Sequence, residues 1–296
     1  MPNDNKTIDW LLRIGVALQC AGHAWLVGKV LETPLLAWLW EPVDVGGLGL
    51  GEAAAVPIAR VTGALLAVAA ISTLVRPSRV LLVFVFVFQV VFAFAAWQTY
   101  EGFPLDVSWL GNGPLRGWGE AAAGLFPFAA GAARIAAPLV LLLVHWSKLR
   151  KLLGIAITPT VEWLLRISIA LTFAAHGLEA LQQRGSFLDM LIVSSERVLD
   201  PRLQESTAQA MLLVIGFVDL AVAGLILVRR WRLVAGYMAF WGFATAAVRL
   251  VALSPDRGWY EFAIRSSHWV LPLILVLAWR LAPAPDSLVK SNKSEG

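Results

Sequence analysis

The sequence predicts an all-α polytopic membrane protein, with eight transmembrane helices laid out as two parallel four-helix repeats. Three observations carry this. Of 296 residues, 58% are hydrophobic and only 15% charged, with a mean hydropathy of +0.71; soluble domains are about half apolar and a quarter charged. Eight stretches stay apolar long enough to cross about 30 Å of hydrocarbon at roughly 20 residues each. A segment near the N-terminus also recurs 153 residues further on. Runs such as Val80 to Ala96 cannot be hidden from water without a bilayer as solvent. That composition excludes a secreted disulfide scaffold, a nucleic-acid-binding domain and an ordinary cytosolic enzyme. One cysteine, Cys20, makes no intrachain disulfide and no thiolate cluster.

The first expected span covers 10–30. Lys6 and Arg13 ahead of an apolar run raise a signal peptide, but Ala17-Leu18-Gln19-Cys20 is a poor lipoprotein cleavage box and the segment recurs mid-chain. A glycine-rich loop, Gly46 to Gly51, follows; it has no preceding strand and the wrong spacing for a dinucleotide site. Spans at 53–75 and 80–98 flank Arg76-Pro77-Ser78-Arg79, and a fourth lies at 124–146. The basic linker 147–161 leads to spans at 162–182, 208–228, 232–253 and 263–281. The chain thus divides into a first repeat, 1–150, and a second, 151–296, which ends in a short tail.

Alternating spans put 14 Lys/Arg and 5 Asp/Glu on the side of the termini, against 7 and 14 on the other. The positive-inside rule then places both termini in the cytoplasm of a bacterial-type inner membrane. Trp38, Trp40, Trp109, Trp118 and Trp259 fall near span ends, where an indole suits the interface.

The duplication is specific. Trp10 to His23 matches Trp163 to His176 at nine of fourteen positions. The same offset carries Arg76 and Arg79 onto Arg229 and Arg232, while Pro138 answers Pro272 and Arg116 to Glu120 answers Arg257 to Glu261. With four spans per half, the halves enter from one side and are expected to be related by an axis along the membrane normal.

Leu-Leu-Arg-Ile, about ten residues, then a small residue and His-Gly (Ala175-His176-Gly177-Leu178 in the second half) resembles the first helix of the DoxX family of four-helix membrane proteins. The family's usual lysine four residues after the histidine is Val27 in one half and Ala180 in the other. The resemblance implies a tandem duplication of that unit, and a membrane subunit that accompanies a redox partner protein.

Intramembrane charge is costly, so each such group is expected to face inward, pair or reach an interface. Arg13 and Arg166 lie within a turn of the cytoplasmic edge and read as structural anchors. His23, with Gln19 one turn before, and His176, with Thr172 before and Glu179 after, form one-faced sets. Glu261, Arg265, His268 and Pro272 make another stripe, joined by Arg60 and Arg249. The expected site is an outward-facing polar cavity lined by His23, His176, Glu179, Arg60, Arg249, Glu261, Arg265 and His268. Asp219, alone near the midplane, reads as a structural charge, either paired diagonally with Arg249 or protonated against a neighbouring helix.

Three functions are open, and the redox-associated subunit is the favoured one. A redox-associated subunit would bind a quinone, a haem between His23 and His176, or a metal held by His23, His176 and His268. A transporter or lipid/anion carrier would use the arginines, although the sequence reveals no paired broken helices in corresponding positions. A scaffold for a partner would use the small residues Gly63, Ala67, Gly216, Ala223 and Gly224 for close helix contacts.

Overall fold

The computed structural model describes residues 2–99, 125–146, 157–198 and 202–281. Trp109, Trp118, the Arg116 to Glu120 segment, most of the linker and the tail from 282 lie outside the described residues. Among those described, every regular element is helical: α1 (Pro2–Trp25), α2 (Pro34–Trp40), α3 (Glu52–Val75), α4 (Arg79–Thr99), α5 (Ala132–Trp146), α6 (Pro159–Leu181), α7 (Gly185–Val198), α8 (Glu205–Val228), α9 (Arg232–Ala252), α10 (Pro255–Ile264) and α11 (Ser266–Leu281). A π-helical turn, Leu26–Val30, extends α1.

Among the described residues, seven helical stretches are long and apolar enough to cross a membrane: Lys6–Val30, α3, α4, α6, α8, α9 and Pro255–Arg280. At the expected fourth span, α5 has 15 residues and is preceded by helical residues 125–130. Valines, leucines and phenylalanines that face no neighbour remain exposed on these helices, among them Val61, Val68, Val214, Phe217 and Phe240, as lipid-facing positions are.

Local chemistry sets the helix starts. Thr33 accepts a hydrogen bond from the Leu36 amide (3.1 Å) ahead of Pro34, and Thr158 accepts one from Val161 (3.3 Å) ahead of Pro159, the N-cap followed by proline at the first helical position.

The element limits repeat. α3 and α8, 24 residues each, start and end 153 residues apart, and so do the 21-residue α4 and α9. Neighbours repeat as well. α1 packs on α3 as α6 packs on α8, α4 on α5 as α9 on α11, and α2 on α3 and α4 as α7 on α8 and α9. Helix α1 touches α10 and α11, α6 touches α5, and α5 touches α11; among the described residues the two halves meet mainly through these five helices.

Both final spans are interrupted at matching places, contrary to the sequence reading. One breaks in a turn at Gly131 and the other at Arg265, each seven residues before the proline it shares with its counterpart, Pro138 or Pro272. Pro138 has no N–H to offer the Arg134 carbonyl one turn back; the Gln19 side-chain amide donates to that oxygen instead, at 2.8 Å. In the other half Gly242 lies against the corresponding carbonyl, that of His268, where an added Cβ would come within 2.5 Å.

The end of the bundle away from these breaks holds two polar clusters built on equivalent positions. Asp9 pairs with Arg13 (2.9 Å) and approaches His145 (3.6 Å). Glu162 accepts from Arg230 (2.7 Å) and from the Trp279 indole (3.1 Å) and lies 3.6 Å from Arg166. Arg166 also donates to the Ile226 and Leu227 carbonyls (2.8 and 2.5 Å), which lost their partners where α8 ends. Arg13 and Arg166 are thus each paired with an acid one turn earlier.

Candidate functional site

At the opposite end, the last turns of α1, α4, α6 and α9 meet the helix breaks and α10 around a cavity of about 490 Å³. Its charged lining comes from Arg134, Arg184, Arg249, Arg257 and Arg265 against Glu32, Glu179 and Glu261. Each acid is engaged. Glu32 pairs with Arg257 at 3.0 Å. Glu179 holds Arg184 on one oxygen and His176 Nδ1 on the other, the latter at 2.7 Å. Glu261 pairs with Arg265 and lies 3.8 Å from Arg249, whose guanidinium also donates to the Thr245 carbonyl one turn back. Arg134 makes no ion pair among the described residues, and its enclosed Nε has no hydrogen-bond partner. Among the described residues, five guanidinium groups against three carboxylates make the lining cationic.

A second cavity, about 180 Å³, adjoins the first beneath α7 and between α8 and α9. The two share His176, Phe187, Met190, Arg249 and Arg265. Its walls are mainly apolar, with Phe173, Leu212, Ile215 and Val248, and it includes His268 and Asp219. The His176 and His268 rings lie 5.4 Å apart. Asp219 and His268 are 5% and 6% exposed, and among the described residues Asp219 Oδ1 and His268 Nε2 lack hydrogen-bond partners.

His176, Glu179, Arg249, Glu261 and Arg265 therefore line the larger cavity and His268 the smaller. Two expected members line neither. Arg60 is exposed on α3, because α3 packs through Ala55, Ala59, Gly63 and Leu66 and residue 60 falls off that face. His23 is wholly buried, its ring edge-on to Phe88 and Phe92 at 5.4 and 5.3 Å and its Nδ1 2.9 Å from the Gln19 carbonyl. A haem strung between His23 and His176 has no space at His23. The metal trio is not assembled either, since among the described residues no three His, Cys, Asp or Glu side chains gather as a metal-binding set. Asp219 and Arg249 border one cavity without pairing, because Arg249 is turned toward Glu261.

Arg134, Arg184 and Gln89 also line the larger cavity, and sequence reasoning did not single them out. For Arg134 the signal was present: a lone arginine within the fourth apolar run, the same cue that marked Arg249.

No family model, curated protein or solved structure matches the chain. Fold and site define a protein whose described regular elements are all helices, several of them of membrane length and apolar, with a cavity lined by described arginines at one end of the bundle.

Proposed function

We propose that this chain is an anion-binding carrier of the bacterial-type inner membrane, built as two parallel four-helix repeats with both termini in the cytoplasm. Arg134 carries the reading. A guanidinium at a cavity wall with no acidic partner among the described residues, beside arginines that claim every described carboxylate of the lining, calls for a counter-charge from a ligand. Paired interruptions at Gly131 and Arg265 support it, since both residues line the cavity and broken helices in corresponding positions point to substrate sites in duplicated carriers. The coincident limits of α3 with α8 and of α4 with α9 support the parallel repeat and, with it, an eighth crossing through residues 125–146. The basic residues at the far end support an outward-facing cavity. The test is binding of a small carboxylate or inorganic phosphate to the purified protein in nanodiscs. Saturable binding that weakens as salt rises is expected, and no binding at any salt concentration overturns the reading.

A second reading keeps the redox association and the DoxX-like origin that the sequence resemblance implies, and rests on the neighbouring imidazoles. The smaller cavity fits a quinone ring: His176, His268 and Arg249 offer N–H groups for its carbonyl oxygens, and Phe173 and Trp241 wall its faces. Bound there, a quinone would supply two-electron chemistry to a redox partner, with these residues orienting the ring and excluding water. Solvent extraction of purified protein, followed by an ultraviolet spectrum, decides it; an extract without quinone removes the reading.

A further inference from the structure

The two halves differ where they ought to match. At the 153-residue offset, His23 corresponds to His176, Leu66 to Asp219, Phe88 to Trp241 and Phe92 to Thr245. In the first half these positions are filled: Leu66 is fully buried, and the two phenylalanines close around His23. In the second half the same volume is the smaller cavity. Thr245 has replaced a phenylalanine, His176 opens into the space, and a carboxyl stands where the first half carries leucine. The fold therefore needs neither the void nor the acid. Both are additions to a packing scheme that is complete without them.

Asp219 is the costliest of these additions. Its side chain is 5% exposed, one oxygen has no partner, and it sits well inside an apolar helix, where an ionisable group marks a functional site. Histidine and arginine side chains border the same space without pairing to it. Asp219 and Trp241 line the deep end of the cavity; Trp241 is about 12 Å along α9 from Arg249, where the two cavities meet.

We propose that the smaller cavity is a subsite for the body of the ligand whose anionic head lies in the larger one. The site then takes a single-chain anionic amphiphile that bears a hydroxyl toward its far end. The assignment rests on the anion-binding reading above and names its substrate class. Each portion of the molecule meets a matching surface. The head faces Arg134, Arg249 and Arg265. The chain runs beneath α7 against Phe173, Leu212, Ile215 and Val248. The terminal hydroxyl donates to Asp219 Oδ1, which is otherwise without a partner. A ligand of this shape removes the apolar walls from water and satisfies the buried acceptor together.

The experiment uses full-length protein in nanodiscs, with empty nanodiscs to subtract partition into lipid. Acetate, dodecanoate and ω-hydroxydodecanoate are the probes, followed by equilibrium dialysis. Wild-type protein should bind dodecanoate at least about tenfold more tightly than acetate, and the ω-hydroxy derivative at least as tightly as dodecanoate. Thr245→Phe restores the first-half residue and fills the cavity, so the preference for dodecanoate over acetate should collapse to less than about threefold. Asp219→Leu, again the first-half residue, should invert the order of the two long probes by about tenfold, because the hydroxyl would then be buried unpaired. If Thr245→Phe does not fold, Asp219→Leu alone decides. Acetate binding with no gain from chain length, or an identical ratio of the two long probes in wild type and Asp219→Leu, overturns the subsite while leaving the anion site standing. Failure of all three probes removes both.

Discussion

Gly63 and Gly216 stand 153 residues apart, and each lets its helix lie directly against the first helix of its own half. A Cβ on Gly63 would come within 2.7 Å of the Gly28 Cα and 3.0 Å of the Ala24 carbonyl. On Gly216 it would meet the Leu181 side chain at 2.6 Å and the Gly177 carbonyl at 2.8 Å. Gly28 and Leu181, like Ala24 and Gly177, are themselves one offset apart. Two unrelated packings would have no reason to choose matching partners.

Gly63→Ala is therefore expected to destabilise the protein by about 1–3 kcal/mol, since its obstacle is backbone that cannot rotate away. Gly224→Ala meets nothing within 4 Å and serves as the control. Unfolding of both variants in detergent checks this, and equal stability would contradict the close approach.

Arg134→Gln should weaken binding of a small carboxylate at least about tenfold, the value of a charge-assisted hydrogen bond. Arg60→Gln, on the exposed face of α3, should leave it within about twofold. Equal losses would mean that the interaction is a general surface attraction and does not belong to the cavity.

The two histidines should separate stability from binding. His23→Ala empties a packed aromatic niche and is expected to cost about 2 kcal/mol or more while ligand affinity stays within about twofold. His176→Ala removes a cavity wall that Glu179 holds in place, and should lower affinity about tenfold at smaller cost in stability. The same pair of readouts on both variants is the check, and a reversed pattern would refute the assignment.

Membrane orientation is testable with single cysteines in a Cys20→Ala background. Leu48→Cys should react with an impermeant maleimide added to intact cells, and Ser78→Cys only after lysis. Labelling of Ser78→Cys from outside would invert the topology and turn the cavity inward.

Arg166→Ala should destabilise by about 2 kcal/mol, because two carbonyls at the end of α8 lose their donor and the buried Glu162 loses a neighbouring positive charge. Arg13→Ala, which loses an ion pair to Asp9, should cost less. Melting curves of the two variants compare the two ends.

Apolar run length was enough to find the seven membrane-length helices, because hydrocarbon thickness fixes it whatever packs around the chain, but it did not reveal the shorter α2 and α7. The stripe of Glu261, Arg265 and His268 was legible for a related reason: charged groups at helical spacing on an apolar span must share an interior face. Arg60 misled because the angle between a charge and the buried face of α3 depends on which small residues do the packing, and hydropathy does not reveal that. His23 and His176 show a deeper limit. Nine of fourteen residues around them are identical, yet one ring is sealed and the other opens on a cavity, because Phe92 and Thr245 on other helices decide. The breaks at Gly131 and Arg265 escaped notice because they lie seven residues, about two turns, before the prolines that the sequence makes conspicuous.

The unequal pairs Leu66 with Asp219 and Phe92 with Thr245 bear on why both halves occupy one polypeptide. In a symmetric dimer of a four-helix unit each residue is present twice, so an acid introduced at that position would enter both copies, and two carboxyls would have to be buried for every ligand accommodated. Covalent fusion lifts that constraint. On the proposed reading of a duplicated anion carrier, one copy can remain a well-packed support while the other gives up stability for a pocket, and the expected stoichiometry is one ligand per chain, with no cooperativity between equivalent sites.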